Sequence, residues 1–164
     1  MAGITGAVTD ALVAMLQSPE QGVNIRLTAM DQADPALTTI GIREVISSNT
    51  PVEISEMAGQ GQYPALAVYC DRMANTLKEK FREFSGTAHL VIEVRHSQPV
   101  LAGIESNLQT YVDAVCALLD DSRGDWGGGA FYSGGYDISY EAVARGGKNY
   151  LQRAKVGLDV EVSR

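Results

Sequence analysis

The sequence is poor in the residues that build covalent and metal sites. It has two cysteines, Cys70 and Cys116, and two histidines, His89 and His96. Two cysteines cannot form a disulfide framework, and their separation fits no zinc motif. Since each lies in an apolar run, we expect buried thiols, with a disulfide between them as the alternative. If the histidines share a strand, their odd separation puts them on opposite faces, so they cannot ligate one metal.

Positive charge is also in short supply. The chain has 13 lysines and arginines against 20 aspartates and glutamates, which gives a formal net charge of −7. An acidic protein repels phosphate backbones, so this balance argues against a general nucleic-acid-binding protein. The basic residues Lys78, Lys80 and Arg82 are interrupted by glutamates, and such mixed charge is typical of a solvated face.

Long hydrophobic runs are missing as well. No segment approaches the roughly 18 apolar residues that a membrane-spanning helix needs. No lysine or arginine precedes Arg26, so the basic start of a secretory signal is absent. We therefore expect a protein that is made and kept in a cytoplasm and that has no membrane partner.

Motifs for catalysis and ligand binding are absent too. The glycine-rich stretch 124–135 does not end in the Lys-Ser/Thr of a phosphate-binding loop, and no dinucleotide fingerprint follows a first strand. No serine lies in a nucleophile elbow, and Asp120, Asp121 and Asp125 lack the spacing of a calcium loop. The sequence thus predicts a protein that is not an enzyme and that has no metal and no cofactor.

The composition and the periodicity of the chain are those of a globular domain. With 164 residues, of which 45% are hydrophobic, we expect a single domain over residues 1–164. Helical spacing of apolar residues predicts an N-terminal helix from Ile4 to Leu16, ended by a Ser-Pro pair. A long central helix is predicted to begin at Ser97 as N-cap, with Pro99 in its first turn. Its apolar stripe consists of Leu101, Ile104, Leu108, Tyr111, Val115 and Leu118.

Apolar runs and apolar–polar alternation predict the strands. The predicted strands cover residues 23–27, 63–70, 88–94, 138–140 and 154–162. The pair Ser85-Gly86 has the character of a hairpin turn before the third of them. Residues 73–84 stay open, because their apolar residues have helical spacing although a strand would fit the neighbouring turn.

Two segments lack a clear periodicity. Residues 29–62 contain Pro35 and Pro51 and are predicted to form an irregular arm. Residues 124–135 are rich in glycine and are predicted to form a mobile loop that a partner orders. The aromatic residues of this loop would be costly to leave in water, so they are candidate contacts with a neighbouring subunit. These candidates are Trp126, Phe131 and Tyr132.

Together the elements predict an α+β fold, in which a mixed or antiparallel sheet packs against the N-terminal helix and one long central helix. Their order is helix, strand, irregular arm, buried strand, hairpin-like region, long helix and two terminal strands. With the segments from Tyr63 to Val68 and from Arg153 to Val162, this order resembles the tail terminator proteins of long-tailed bacteriophages. The resemblance covers most of the chain and is one of pattern, because the family has no short signature that assigns individual residues.

The resemblance implies a structural virion subunit. Such proteins form a ring, expected here to be a hexamer, which caps the tail tube, ends tube growth and joins the tail to the head. The implied partners are further copies of the chain, the tail tube protein and the head connector or stopper protein. DNA would pass through the ring without specific binding. Two alternatives stay open: another phage neck, tail-completion or tube-like subunit, and a small cytoplasmic enzyme with an unrecognised site.

Overall fold

The chain folds into helices and one mixed sheet. The computed structural model describes residues 3–34, 40–52 and 62–164, and within these ranges it has three α-helices and eight β-strands. The helices are α1 (Ile4–Leu16), α2 (Val23–Ala33) and α3 (Ile104–Asp121). The strands are β1 (Glu44–Ser47), β2 (Ala65–Asn75), β3 (Ser85–Gln98), β4 (Gly124–Gly127), β5 (Ala130–Tyr132), β6 (Asp137–Tyr140), β7 (Ala144–Gly146) and β8 (Asn149–Ser163). The predicted α+β class is confirmed.

The eight strands belong to one sheet, with β8 at its centre. The long strands lie in the order β1-β2-β3-β8, where β1 is parallel to β2 and the other pairs are antiparallel. One edge of β8 pairs with β3 along almost its whole length. The opposite edge pairs in turn with β7, β6 and β5, and β4 continues the sheet beyond β5. The sheet is therefore mixed, as the sequence predicts.

The core lies between one face of this sheet and the helices. Alternate residues of β3 and β8 point into it, and α3 packs on both strands while α2 packs on α3. Leu108 and Tyr111 of α3 are wholly buried, as are Ile92 and Val156 on the facing strands. The opposite face of the sheet, called the outer face below, carries most of the charged strand residues. The prediction that the sheet packs against α1 and one long central helix is confirmed.

The second helix corrects the strand predicted at residues 23–27. Val23 and Leu27 are 1% and 2% exposed, whereas Ile25 between them is 45% exposed. Residues four apart share one face of a helix, so the same apolar residues also satisfy the helical period. Asn24 ties this helix to the next segment, because its side chain accepts from the Ile42 amide at 2.6 Å and donates to the Ile42 carbonyl at 3.1 Å.

The segment 29–62, predicted to be an irregular arm, contains regular elements within its described residues. Residues 29–33 complete α2, and β1 pairs with β2 in a register that sets Glu44 beside Ala65. A parallel pairing joins segments that are distant in sequence, so local periodicity does not reveal it. Residues 35–39 and 53–61 of the predicted arm lie outside the described residues.

The hairpin between β2 and β3 differs from its prediction. Ser85-Gly86 is not the turn but the start of β3, where Gly86 lies beside Asn75 on β2 and Val162 on β8. The connection is made by residues 76–84, called the 76–84 turn below. No helix forms in the segment 73–84 that the sequence left open. Its first three residues belong to β2, which extends to Asn75, and the others form the 76–84 turn.

The long helix begins later than predicted. Ser97 is not its N-cap, since β3 continues to Gln98 and sets Ser97 beside Leu151 of β8. The helix starts at Ile104, and Leu101 of the predicted stripe lies outside it and is 54% exposed. The remaining five members of the stripe are buried, which confirms the core-facing side of α3.

The glycine-rich loop predicted at residues 124–135 is largely a β-hairpin. Strands β4 and β5 pair with each other, and β5 pairs with β8. The turn between them has positive φ angles at Gly127, Gly128 and Gly129, of 85°, 62° and 83°. Only glycine adopts these conformations at little cost, so the glycines here serve the geometry of the turn rather than mobility.

Candidate interaction surfaces

The three aromatic residues predicted as partner contacts have different environments in the hairpin. Tyr132 is wholly buried, and its hydroxyl donates to the Gly135 carbonyl at 2.9 Å. Trp126 is half-buried, with its ring centroid 5.5 Å from that of Tyr132 and its indole N–H donating to the Ser122 carbonyl. Phe131 alone of the three is exposed, by 47%. The contact with a subunit stays a prediction, and Phe131 is the residue placed to make it.

The 76–84 turn displays apolar side chains that the sequence did not single out. Leu77 is 61% exposed and Phe81 is 103% exposed. Both have left-handed backbones, with φ of 49° and 65°. Such a conformation costs a residue other than glycine roughly 1–2 kcal/mol. Strain of this kind persists only where the surroundings hold it, and it is concentrated at sites of function.

Side chains on both flanking strands hold the turn in place. The Asn75 side chain accepts from the amides of Leu77 and Ser85, at 3.3 Å and 3.0 Å, and donates to the Glu83 carbonyl at 3.0 Å. The Ser85 hydroxyl accepts from the Glu79 amide at 3.2 Å. Leu77 and Phe81 are therefore presented by a turn whose backbone is fixed at several points.

The C-terminal end of β8 adds further bonds to the same turn. The Ser163 hydroxyl donates to the Glu79 carboxylate at 2.6 Å. The Arg164 carbonyl accepts from the backbone amides of Glu83 and Phe84, at 2.8 Å and 3.1 Å. The turn is thus attached to β8 as well as to the two strands it joins.

Basic side chains stand on both sides of Phe81. Lys78, Lys80 and Arg82 are all exposed, as predicted for a solvated face. Arg82 approaches Glu79 at 3.5 Å, whereas the two lysines form no ion pair within the part of the chain that the structure describes. An exposed pair of that kind contributes at most about 1 kcal/mol. The positive charges of the turn are therefore only weakly neutralised by carboxylates of the same chain.

Apolar residues are also exposed at the other end of β3. Val100 and Leu101 follow the strand and are 60% and 54% exposed. The Gln98 side chain holds this corner, since its Nε2 donates to the carbonyls of Val100 and Ala102 at 2.6 Å and 2.9 Å. Its Oε1 accepts from the Asn107 amide nitrogen at 3.1 Å, which ties the corner to α3. Both ends of β3 therefore carry exposed apolar side chains on a fixed backbone.

An open cavity of about 420 Å³ lies where β3, β8 and β6 meet, and is called the outer-face cavity below. Gly157 of β8 forms part of its floor. A Cβ at this position would lie 2.9 Å from Asp137 Oδ1 and 3.1 Å from His89 Nε2, so any larger residue would fill the floor. Asp137, Asp159 and Glu161 also line the cavity and are exposed. They form no ion pair within the described ranges, which leaves the cavity acidic.

The two histidines share β3 and lie on opposite faces, which confirms the prediction. His89 is on the outer face, where its Nδ1 lies 2.5 Å from Asp71 Oδ1. His96 is on the core face and is 6% exposed, with its ring edge against Tyr111. Its Nε2 bonds to Gln98 Oε1 at 2.9 Å, while its Nδ1 has no partner among the described residues. Burial lowers the pKa of His96, and the bond to Gln98 opposes that shift.

Neither cysteine forms a disulfide. Cys116 of α3 is buried, as predicted, and burial raises the pKa of its thiol to about 11. Cys70 is only half-buried, because β2 emerges from the core at this point, and burial again raises its pKa.

The aspartates at the end of α3 are paired with arginines, of which Arg26 reaches Asp121 at 2.6 Å. In that pair Arg26 is 20% exposed and Asp121 is 69% exposed, and the arginine compensates negative charge at a helix C-terminus.

The comparisons with known proteins show a distant likeness to solved structures. No protein-family model and no curated protein matches the chain. Among solved structures, the chain is similar to one from the virion of a native gene transfer agent particle. The alignment covers 92% of this chain and 98% of the other, with 13% sequence identity and a TM-score of 0.36. A likeness at this level supports no inference about activity or partners.

Neither a metal-binding cluster nor a helix suited to cross a membrane is found among the described residues. Within residues 3–34, 40–52 and 62–164, no group of three or more histidine, cysteine, aspartate or glutamate side chains could hold a metal ion. Among the helices in those ranges, none combines the length and the apolar character needed to cross a membrane. The metal and cofactor predictions stay predictions.

The sequence reasoning missed the 76–84 turn and the outer-face cavity. Phe81 is one of the apolar residues of the segment 73–84, whose helical spacing left the structure of that segment open. The available signal was its immediate context, because a phenylalanine between Lys80 and Arg82 has no apolar neighbour in sequence. The cavity has no local signal, since its residues come from three separate segments.

Proposed function

We propose that the chain is a structural virion subunit that forms a ring at the end of a phage tail tube. The ring ends tube growth and joins the tail to the head connector. The observation that supports this best is the pair of exposed apolar sites at opposite ends of β3. One is formed by Leu77 and Phe81, and the other by Val100 and Leu101.

The spacing of these two sites suits a subunit placed between two partners. β3 has 14 residues. At about 3.3 Å per residue it separates its ends by roughly 45 Å. Exposed apolar patches on a soluble protein mark contacts with other macromolecules. A ring subunit at the end of a tube meets a neighbouring copy as well as the tube or the connector, so it needs contacts on more than one side. The fixed corner at Gln98 provides a preorganised contact for the tube or the connector.

The ring itself requires a contact between copies that repeats around an axis. Closed rings arise from heterologous interfaces, in which different patches of neighbouring copies meet. A stable interface buries about 1,200–2,000 Å² in total. We infer a hexamer from the family resemblance, with the tail tube protein and the head connector or stopper protein as the other partners. The net charge of −7 suits a ring that DNA crosses without specific binding. The protein would be made in the host cytoplasm and would function in the virion.

Deletion of the gene from its phage tests the proposal. Loss of the protein should give tails of abnormal length that fail to join heads. A plasmid copy should restore normal tails, whereas a copy with Val100→Ser and Leu101→Ser should not, although it folds. Ile25→Ser is the matched control, because Ile25 is a 45% exposed apolar residue that belongs to α2 and to neither of the two sites. Normal tails joined to heads after deletion would refute the function.

The same experiment separates the proposal from its nearest alternative. A neck, tail-completion or tube-like subunit of another kind would also be required for infectious particles. Its loss would leave tails of normal length that remain separate from heads, or would prevent tubes from forming. Abnormal length together with failed joining is the combination that a terminator predicts.

A second candidate function rests on the contact between Asp71 and His89. A carboxylate that holds one nitrogen of an imidazole orients the other, and His89 Nε2 faces the outer-face cavity. This is the arrangement of a general base, and Ser133 lines the same cavity without a hydrogen bond to His89 among the described residues. Hydrolysis of activated esters that His89→Ala abolishes and His96→Gln leaves intact would favour an enzyme. Equal rates in both variants would eliminate it.

A further inference from the structure

We propose that the 76–84 turn of one copy docks into the outer-face cavity of a second copy. In this contact Phe81 enters the cavity, while Lys80 and Arg82 pair with Asp159 and Glu161. The inference rests on the proposed function, because it names the surfaces through which copies of the chain meet. It concerns the lateral contact only, and not the contacts with tube or connector.

The turn has the properties of a docking element. Phe81 is 103% exposed, so it contacts almost nothing within its own chain. Its backbone is held by Asn75 and Ser85 and by the end of β8. Because these bonds fix the turn before binding, docking loses little conformational entropy. Aromatic residues on a preorganised backbone, with arginine beside them, are the side chains that most often dominate an interface.

The outer-face cavity has the complementary properties. Its volume of about 420 Å³ falls in the range of roughly 300–1,000 Å³ that accommodates drug-sized ligands. Glycines at 134, 135 and 157 leave its floor open, and Thr87 and His89 of β3 also line it. The carboxylates of Asp137, Asp159 and Glu161 line it with no ion pair to a described residue. An aromatic side chain flanked by cations fits such a site.

Charge favours a second copy as the occupant. The chain has 13 basic residues, and three of them alternate over positions 78–82 of the turn. The described ion pairs place only Arg82 beside a carboxylate, at 3.5 Å, so the lysines are free to pair elsewhere. The cavity offers three carboxylates in the same unpaired condition. Complementary patches on one chain bring copies together and orient them.

Sedimentation velocity of the purified protein up to millimolar concentration tests the contact. The wild type should associate, and added salt should weaken the association, because exposed charges are screened. Phe81→Ser and Asp159→Lys should each weaken it by at least about tenfold, as expected for a residue at the centre of an interface. Ile25→Ser should leave it unchanged. Circular dichroism of each variant checks that the fold is retained.

Mixing the two variants gives the sharper measurement. Phe81→Ser retains the cavity and Asp159→Lys retains the turn, so an equimolar mixture should form a complex of one chain of each kind. General stickiness of an exposed phenylalanine would give no such complementation. A wild type that stays monomeric, variants that associate normally, or a mixture that stays monomeric would each overturn the inference. Capture of Phe81 by a tail protein rather than by a second copy would overturn it too. None of these results affects the phage deletion test, which decides the proposed function separately.

Discussion

Replacing Leu108 by alanine tests the core that supports both ends of β3. Leu108 lies in the middle of α3 and is 0% exposed. The change removes three buried carbons, and at about 0.8 kcal/mol for each buried CH₂ the transfer loss is about 2.4 kcal/mol. The cavity left behind adds to this, so the loss in unfolding free energy should fall between about 2 and 5 kcal/mol.

Urea unfolding followed by circular dichroism measures this loss, with Leu101→Ala as the matched control. The sequence places both leucines on one stripe, whereas the structure leaves Leu101 outside α3 and 54% exposed. The control should lose less than about 0.5 kcal/mol, as surface substitutions usually do. Unchanged m-values would show that the denatured state is comparable in both variants. A loss below about 1 kcal/mol for Leu108→Ala, or equal losses for the two variants, would refute the packing of α3.

Three further predictions follow from the same structure. Burial lowers the pKa of His96, so below about pH 6.5 the unfolded chain takes up a proton that the folded chain does not. The unfolding free energy should therefore fall as the pH drops from about 7 towards 5, and His96→Gln should flatten that dependence; an unchanged slope would count against a neutral His96. In native protein treated with iodoacetamide, half-buried Cys70 should be alkylated faster than buried Cys116, because burial raises the pKa of the Cys116 thiol to about 11. Mass spectrometry of the peptides measures the order, and faster alkylation of Cys116 would show that the burial of α3 is wrong. Gly129→Ala should destabilise the protein far more than Gly135→Ala. At position 129 the new Cβ would lie 2.1 Å from the Ser163 carbonyl oxygen, whereas at position 135 only the left-handed strain of about 1–2 kcal/mol applies. Similar denaturation midpoints for the two variants would contradict the hairpin.

The elements that the sequence predicts best are long and have an unbroken period. In β8, apolar residues alternate with polar ones from Ala154 to Val162, and each apolar member of this run is buried. In α1, the apolar stripe and the following Ser-Pro pair define both the face and the end of the helix. Such patterns arise because one whole side of the element faces the core, so every second or every third to fourth residue reports the same environment.

Short or mixed segments were predicted less well, because competing periods fit the same few residues. Val23, Ile25 and Leu27 together fit the two-residue period of a strand, whereas Val23 and Leu27 alone fit the period of a helix. Ser97 and Pro99 are residues that favour a helix start, but pairing with β8 extends the preceding strand β3 through Ser97. That pairing joins residues more than fifty positions apart, and no local pattern contains it.

The candidate surfaces were the least predictable part of the chain. The glycines of residues 124–135 predict a mobile loop, whereas in the structure they permit the backbone of a turn that β8 holds. Phe81 is exposed on a turn whose backbone is fixed by Asn75 and Ser85. Surfaces of this kind depend on backbone geometry at a few positions, and composition alone does not specify that geometry.

The central position of β8 has a consequence for how the molecule reaches its native state. β3, β5, β6 and β7 all obtain hydrogen-bonding partners from β8, which follows every one of them in the chain. Until β8 has been synthesised, the long edge of β3 remains open, and an open edge is a template for pairing with the wrong chain. Closing the sheet then requires contacts of large sequence separation, which slow folding. We therefore expect a nascent chain that ends before Asn149 to depend on chaperones, and the full chain to complete its sheet in a late step, when β8 joins β3.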